Sequence, residues 1–234
     1  MTVSQERAGR PDGARRGPLR WVAASVGLVV VIAVGLWSVG EPARAVLGRV
    51  VDGLFDSIAL GRVEGHAPAI RAAAAEFELD ANLVAAVCYM ESRGRVDALS
   101  GVGAAGLMQL MPDAAADAAR SLGLEEPTRA ILRSDAVLNL RLGAHHLAWT
   151  IANEGGDPER ALVAYNAGRT TLRRWIKRDG GYTLWRERQL REGDSQVLAY
   201  ARGVLACRDT LRERGKIMGL EWPPTEHAQA EPDS

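Results

Sequence analysis

The sequence predicts an all-α domain that follows an N-terminal transmembrane helix, and two observations indicate this architecture. Residues 69–214 are rich in alanine and carry apolar residues at helical spacing, with no alternating pattern typical of a strand. Residues 21–40 form an apolar run without a charge. The chain has 234 residues, 47% of them hydrophobic and 25% charged, a globular composition with room for one domain and shorter segments. Its formal net charge of zero gives no indication of a nucleic-acid partner.

The apolar run WVAASVGLVVVIAVGLWSVG at residues 21–40 predicts a membrane anchor. As a helix it would span about 30 Å, which is enough to cross a bilayer. The basic tail at residues 1–20 holds five arginines against two acidic residues. Because positive flanks stay in the cytoplasm, we expect the chain after residue 40 to be exported. The alternative is a cleavable signal peptide with Ala43-Arg44-Ala45 as its cleavage site, but the run is longer than a typical signal core.

Three segments follow the apolar run. Residues 41–65 are predicted to form an amphipathic helix and linker, whose face either packs on the next domain, as we favour, or lies on the membrane surface. The apolar residues of that face are Val46, Leu47, Val50, Val51, Leu54, Phe55 and Ile58. Gly61 and Gly65 interrupt the pattern and indicate a boundary before the helical domain at 66–215. Residues 216–234 are rich in proline and acidic residues, and we expect a flexible tail there.

The stretch SGVGAAGLMQLMP at residues 100–112 contains G-x-G-x-x-G at Gly101, Gly103 and Gly106. A dinucleotide site would require a strand before these glycines and a helix directly after them. A predicted helix and a short loop precede them instead, so we exclude that site. We expect the glycines to let the backbone pass close to another ligand and to Glu91.

Glu91 belongs to a helix for which Asp80 is the predicted N-cap. It shares a helical face with Leu83, Val84 and Val87, so its carboxyl points toward the core. Burial and the nearby negative end of the helix dipole both predict a raised pKa for this carboxyl. A carboxylic acid that stays protonated near neutral pH can act as general acid toward a glycosidic oxygen.

The position of Glu91 leaves a second interpretation open. Arg93 and Arg95 follow closely in the sequence, and either could hold a buried carboxylate in an ion pair. Glu91 would then be structural. The motifs around Glu91 favour the catalytic interpretation.

Four separated motifs occur in order in this part of the chain. They are Glu91-Ser92, Ser100 nine residues after Glu91, GAAGLMQLMP with Gln109 and Met111, and AYNAG at residues 164–168. On these motifs, residues 66–210 resemble the lytic transglycosylases of the soluble Slt type, which have a goose-type lysozyme-like catalytic domain.

This resemblance implies roles for individual residues. Glu91 would be the sole catalytic acid and base. Tyr200, on a late helix, would lie near the catalytic carboxyl, although EGDSQVLAY stands where the family usually has Glu-Thr-x-x-Tyr. The residues implied to line the sugar cleft are Ser100, Gln109, Met111, Ala164, Tyr165 and Asn166.

The resemblance also implies a reaction. The substrate would be peptidoglycan glycan strands, cleaved between N-acetylmuramic acid and N-acetylglucosamine to leave 1,6-anhydro ends without water or a cofactor. The domain would then lie on the periplasmic side of the bacterial inner membrane. The alternatives are a muramidase on the same fold and an inactive, membrane-anchored peptidoglycan-binding protein. Asp97, Asp113 and Asp117 are the nearest candidates for the second carboxylate of a hydrolase, and none shares a helical face with Glu91.

The cysteines and two of the histidines give weaker signals. Export would permit Cys88 and Cys207 to form a disulfide, but two buried thiols are the interpretation we favour. His145 and His146 are adjacent and so face apart on a helix, and no metal site is expected.

Overall fold

The computed structural model describes residues 41–193 and 195–215. The chain divides into two compact units between Leu54 and Phe55. The predicted basic tail, membrane anchor and C-terminal tail lie outside the described residues. Within the described residues, no helix is both long and apolar enough to cross a membrane.

The described residues are mostly helical, which confirms the predicted all-α class. The helices are α1 (Glu41–Gly65), α2 (Ala67–Glu76), α3 (Ala81–Ser92), α4 (Pro112–Ser121), α5 (Arg129–Leu132), α6 (Ala136–Asn153), α7 (Pro158–Ala167), α8 (Arg169–Asp179), α9 (Tyr182–Glu192) and α10 (Gln196–Arg214). In this part of the chain, extended pairing is limited to isolated bridges from Ala105 to Leu99 and to Leu110.

Helix α1 continues past the expected break at Gly61 and ends at Gly65. Ala59 and Val63 lie one turn apart on this helix, and both are buried. The packing of these two side chains holds the helix through Gly61 despite the low helix propensity of glycine.

The apolar face predicted for α1 is partly exposed to solvent. Leu54, Phe55 and Ile58 are 60%, 65% and 45% exposed, respectively. The expectation that this face packs on the following domain is therefore wrong for these three residues.

Helix α3 lies at the centre of the domain and carries the predicted candidate acid near its C-terminus. The Asp80 carboxylate accepts a hydrogen bond from Asn82 N at 2.8 Å, which confirms the predicted N-cap. Val84 and Val87 of the predicted face are fully buried. The small side chains elsewhere on α3 are also buried. They are covered because α10 and α2 both pack against α3. In addition, α10 packs against α7, and α2 packs against α6. A polar side chain near the end of α3 therefore lies close to the core.

Candidate active site

The Glu91 carboxyl lies in the last turn of α3 and is half-buried. Its Oε1 atom accepts a hydrogen bond of 2.6 Å from the Tyr200 hydroxyl on α10. Burial raises the pKa of the Glu91 carboxyl above its ordinary value, while the hydrogen bond from Tyr200 acts in the opposite direction. The predicted upward shift of the pKa is confirmed, and Tyr200 lies where the resemblance implied.

Neither arginine that could have held Glu91 does so in the described part of the chain. Arg93 ends α3 in a left-handed conformation with φ of 54°, and its guanidinium lies 3.4 Å from Asp56 Oδ1. Arg95 Nε donates a hydrogen bond of 3.2 Å to the carbonyl oxygen of Ser92. The ion-pair interpretation of Glu91 is therefore wrong, because the two guanidinium groups contact Asp56 and the Ser92 carbonyl oxygen instead.

Ser100 and Gln109 stand near the two ends of the stretch 100–112, most of which forms the second half of the loop between α3 and α4. Ser100 Oγ accepts a hydrogen bond from Ala104 N at 2.9 Å, which closes a tight turn. Gln109 has a φ of 46°, and its Nε2 donates to the carbonyl oxygen of Gly106 at 3.0 Å. Both polar side chains are half-buried and held by their own loop.

Asn139 on α6 anchors this loop, although none of the sequence motifs includes it. The residue is fully buried. Its Nδ2 donates to the carbonyl oxygens of Ala105 at 3.0 Å and Leu132 at 3.1 Å, and its Oδ1 accepts from Met108 N at 2.9 Å. Asparagine at the start of a predicted helix is a weak sequence signal, and only the fold brings it to the loop.

Asn139 also explains Gly106. This glycine has a φ of 80°, and a Cβ atom there would lie 2.1 Å from Asn139 Nδ2 and 2.3 Å from the Leu132 carbonyl oxygen. Gly106 is buried. The expectation that it approaches a ligand is therefore wrong, since Asn139 on α6 and the carbonyl of Leu132 on α5 occupy that space.

Tyr165 lies on α7, and Met111 is the last residue of the loop before α4. The Tyr165 hydroxyl donates to the carbonyl oxygen of Met108 at 2.8 Å. Burial, and then the nearby charge of Glu91, raise the pKa of Tyr165 well above its usual value, so the phenol stays neutral. Met111 precedes α4 and is 44% exposed. Asn166 is exposed in the last turn of α7.

Ala164 differs from the expectation that it lines a cleft. It is 2% exposed and belongs to the main core, and its carbonyl oxygen accepts from Gly168 N at 2.9 Å. Gly168 ends α7. Ala164 therefore lies in the core beneath the site, because the face of α7 that carries it packs against the rest of the domain.

The three candidate second carboxylates are all exposed. They are Asp97, Asp113 and Asp117. Asp117 forms an ion pair with Arg120 at 3.0 Å. In the described part of the chain, burial and Tyr200 account for the shift of the Glu91 pKa.

Cys88, one turn before Glu91, is buried, and Cys207 is half-buried. The two side chains are not joined by a disulfide. Burial raises the pKa of the Cys88 thiol far above its ordinary value, so it remains protonated at neutral pH.

Comparison with known proteins identifies the same region of the chain. A family model described as the transglycosylase SLT domain matches residues 68–188. A curated transglycosylase of Enterobacteria phage PRD1 is 39% identical over 116 residues, which are 48% of this chain and 38% of that protein. This chain thus spans well under half the length of that relative.

Two solved structures share the fold. The inactive glutamate-to-glutamine mutant of the lytic transglycosylase Slt from Pseudomonas aeruginosa is 28% identical, with a TM-score of 0.56, over 67% of this chain and 26% of that one. The 70-kDa soluble lytic transglycosylase Slt70 from Escherichia coli is 23% identical, with a TM-score of 0.56 and the same two coverages. The likeness to Slt70 concerns the fold alone.

Proposed function

The chain belongs to the transglycosylase SLT domain family, and on that premise we propose that it is a peptidoglycan lytic transglycosylase. It would cleave the β-1,4 bond between N-acetylmuramic acid and N-acetylglucosamine and leave 1,6-anhydro-muramic acid ends. The observation that carries the proposal is the half-buried Glu91 carboxyl with its raised pKa and its hydrogen bond from Tyr200.

Glu91 would act first as an acid and then as a base. Its protonated carboxyl donates a proton to the glycosidic oxygen as the bond to C1 of the muramoyl residue breaks. The acetamido group of the same residue stabilises the developing positive charge at C1. The Glu91 carboxylate then takes the proton of the C6 hydroxyl, and that oxygen forms the new bond to C1. The carboxyl ends protonated as it began, so no water is consumed.

Tyr200 would assist by stabilising the charged form of Glu91. After proton donation, the carboxylate keeps a 2.6 Å hydrogen bond from a phenol that stays neutral, because burial raises the pKa of Tyr200 well above its usual value. Burial raises the pKa of Glu91 and the phenol partly offsets that increase. The two effects keep both protonation states of Glu91 accessible, as a residue that alternates between acid and base requires.

Five further side chains are proposed to contact the glycan. The polar groups of Ser100 and Gln109 are held by hydrogen bonds within their loop. The Tyr165 ring and exposed Met111 offer apolar surface, and exposed Asn166 offers an amide. A few positioned polar groups beside apolar walls are typical of small-ligand clefts.

The relative from P. aeruginosa supports the role of the glutamate. A glutamate-to-glutamine mutant of that lytic transglycosylase is inactive. A muramidase would need a second carboxylate within about 5 to 9.5 Å of the first, depending on the stereochemical outcome. In the described part of the chain, the causes of the shifted Glu91 pKa are burial and Tyr200 and include no neighbouring carboxylate, which favours the mechanism with a single carboxyl.

Mass spectrometry of the muropeptides that the full chain releases from purified peptidoglycan tests the proposal. We expect 1,6-anhydro ends from the unchanged protein and none from Glu91→Gln. Glu187→Gln is the matched control, because it makes the same chemical change at an exposed position on α9, and it should retain activity. Release of reducing, hydrated ends alone would show a muramidase, and no release from any of the proteins would show a binding protein.

We also propose that residues 21–40 anchor the protein in the bacterial inner membrane, with the helical domain on the periplasmic side. The support is the uncharged apolar run and the arginines that precede it. Extraction of bacterial membranes with alkaline carbonate should leave the full chain in the pellet. External protease added to spheroplasts should digest the domain. Release by carbonate, or protection from the protease, would contradict this placement.

A further inference from the structure

A pocket of about 460 Å³ lies between α4 and α6, and Glu91 is not among its lining residues. Its volume is within the range of about 300 to 1,000 Å³ that is usual for small-ligand sites. Ser121, Asp117 and Arg120 line it from α4, and His146 and Trp149 line it from α6.

Trp149 is an exposed aromatic residue that the protein holds in place. Its side chain is 44% exposed, and the Arg169 guanidinium lies 4.6 Å from its ring centroid. Arg169 Nε is fixed in turn by a 2.8 Å ion pair with Glu154, whose side chain is 2% exposed. The His146 ring lies nearly parallel to the indole at 6.0 Å. A buried ion pair thus supports a large apolar surface at the edge of a pocket.

The pocket is adjacent to the proposed catalytic cleft. The His146 and Tyr165 rings are 5.3 Å apart, and the Tyr165 hydroxyl bonds to the loop at Met108. On α4, Asp117 follows Met111 by six residues, or about 9 Å along the helix. The pocket therefore lies next to side chains that are proposed to contact the glycan.

The polar groups of the pocket suit a neutral ligand. Asp117 and Arg120 form an ion pair at 3.0 Å, so their charges largely cancel at the rim. Burial is the main cause of the lowered pKa of His146, which keeps its ring neutral at neutral pH, with one donor and one acceptor nitrogen. A sugar ring offers apolar C–H faces to an indole and hydroxyl or acetamido groups to such neighbours.

We propose that the pocket at Trp149 is a second sugar-binding site, which holds an N-acetylated sugar of the glycan strand away from the bond that is cleaved. This inference rests on the proposed function for its substrate class. The site would favour long glycan strands over short fragments, because only a long strand fills both the cleft at Glu91 and the pocket.

Calorimetry with the hexamer of N-acetylglucosamine tests this site separately from catalysis. The full chain carrying Glu91→Gln serves as the parent, so that the probe stays intact. We expect Trp149→Ala in that background to weaken binding of the hexamer about tenfold, as loss of a central aromatic contact does, and Trp149→Phe to restore most of the affinity. Leu184→Ala removes another exposed apolar side chain, on α9, and should leave the affinity unchanged.

A substitution of the exposed residue Asp117 tests the site even if the domain does not tolerate a substitution of Trp149. Asp117→Ala should weaken binding of the hexamer as well, while the melting temperature stays close to that of the parent. The proposal is overturned if both variants bind the hexamer with the affinity of the parent. A muramyl dipeptide is the second probe, and the proposal is also overturned if the variants lose affinity for this probe alone. The proposed function fails separately if the unchanged protein releases no anhydro ends while Trp149→Ala still weakens hexamer binding.

Discussion

The Tyr200 hydroxyl and Glu91 Oε1 are 2.6 Å apart, which joins α10 to the end of α3 across 109 positions of sequence. The phenol donates to the carboxyl, and its hydrogen bond lowers the pKa that burial has raised. The proton affinity of Glu91 is therefore set by two elements that are far apart in the chain. This relationship leads directly to the first two predictions.

Tyr200→Phe should raise the pKa of Glu91 further, because it removes the hydrogen bond that stabilises the carboxylate. The limb of the pH–activity profile on which Glu91 loses its proton should move to higher pH, and the maximal rate should fall. Tyr182→Phe, which removes a hydroxyl 3.3 Å from Glu159, is the matched control and should leave that limb in place. A limb that stays fixed or moves to lower pH in Tyr200→Phe would contradict the role given to the phenol.

Glu91→Gln should increase the stability of the protein near neutral pH. Because the pKa of Glu91 is raised in the folded state, the unfolded chain binds fewer protons than the folded protein once the pH exceeds the ordinary pKa of 4.5. The free energy of unfolding therefore falls as pH rises through the folded pKa. A neutral amide avoids this cost. The melting temperature of Glu91→Gln should exceed that of the unchanged protein at pH 8, and the difference should shrink toward pH 4. Glu187→Gln should show no such trend, and an equal effect of both changes would contradict burial as the cause.

Asn139→Ala should destabilise the domain by about 3 kcal/mol, because it leaves three buried backbone groups without their hydrogen-bond partner. Activity of the folded fraction should also fall, since the loop with Ser100 and Gln109 loses its anchor. Urea unfolding measures the first effect. Asn153→Ala, which removes an exposed amide on the same helix, should cost far less. Equal midpoints for the two variants would contradict the role of Asn139.

Gly101 and Gly106 of the G-x-G-x-x-G stretch should differ sharply in their response to alanine. Gly106→Ala should lower the free energy of unfolding by about 3 kcal/mol or more. The position has a positive φ, and the added Cβ would overlap Asn139 and the Leu132 carbonyl oxygen. Gly101→Ala should be nearly neutral, since nothing lies within 4 Å of the added atom. Thermal unfolding of the two variants measures this contrast. Similar losses at both positions would contradict the packing explanation.

The sequence predicted the parts of the fold that depend on local pattern. The N-cap at Asp80, the buried face of Val84 and Val87 and the raised pKa of Glu91 are all confirmed. These features follow from helical spacing and from the chemistry of one side chain, which can be worked out from neighbouring residues alone.

The parts that depend on packing between distant helices could not be predicted in the same way. The need for glycine at position 106 comes from Asn139, and the burial of Ala164 comes from the face of α7 that meets the core. The exposure of Phe55 likewise depends on which part of α1 meets the domain. In each case a local pattern was compatible with two environments, and the tertiary contacts decided between them.

The most direct test of the central claim, that Glu91 alone moves the proton and no water enters the product, is digestion of peptidoglycan by the full chain in water enriched in oxygen-18. The account predicts that the new muramoyl ends are 1,6-anhydro and carry no label in mass spectra. New ends that carry one labelled oxygen would mean that water attacked C1, and they would contradict the account.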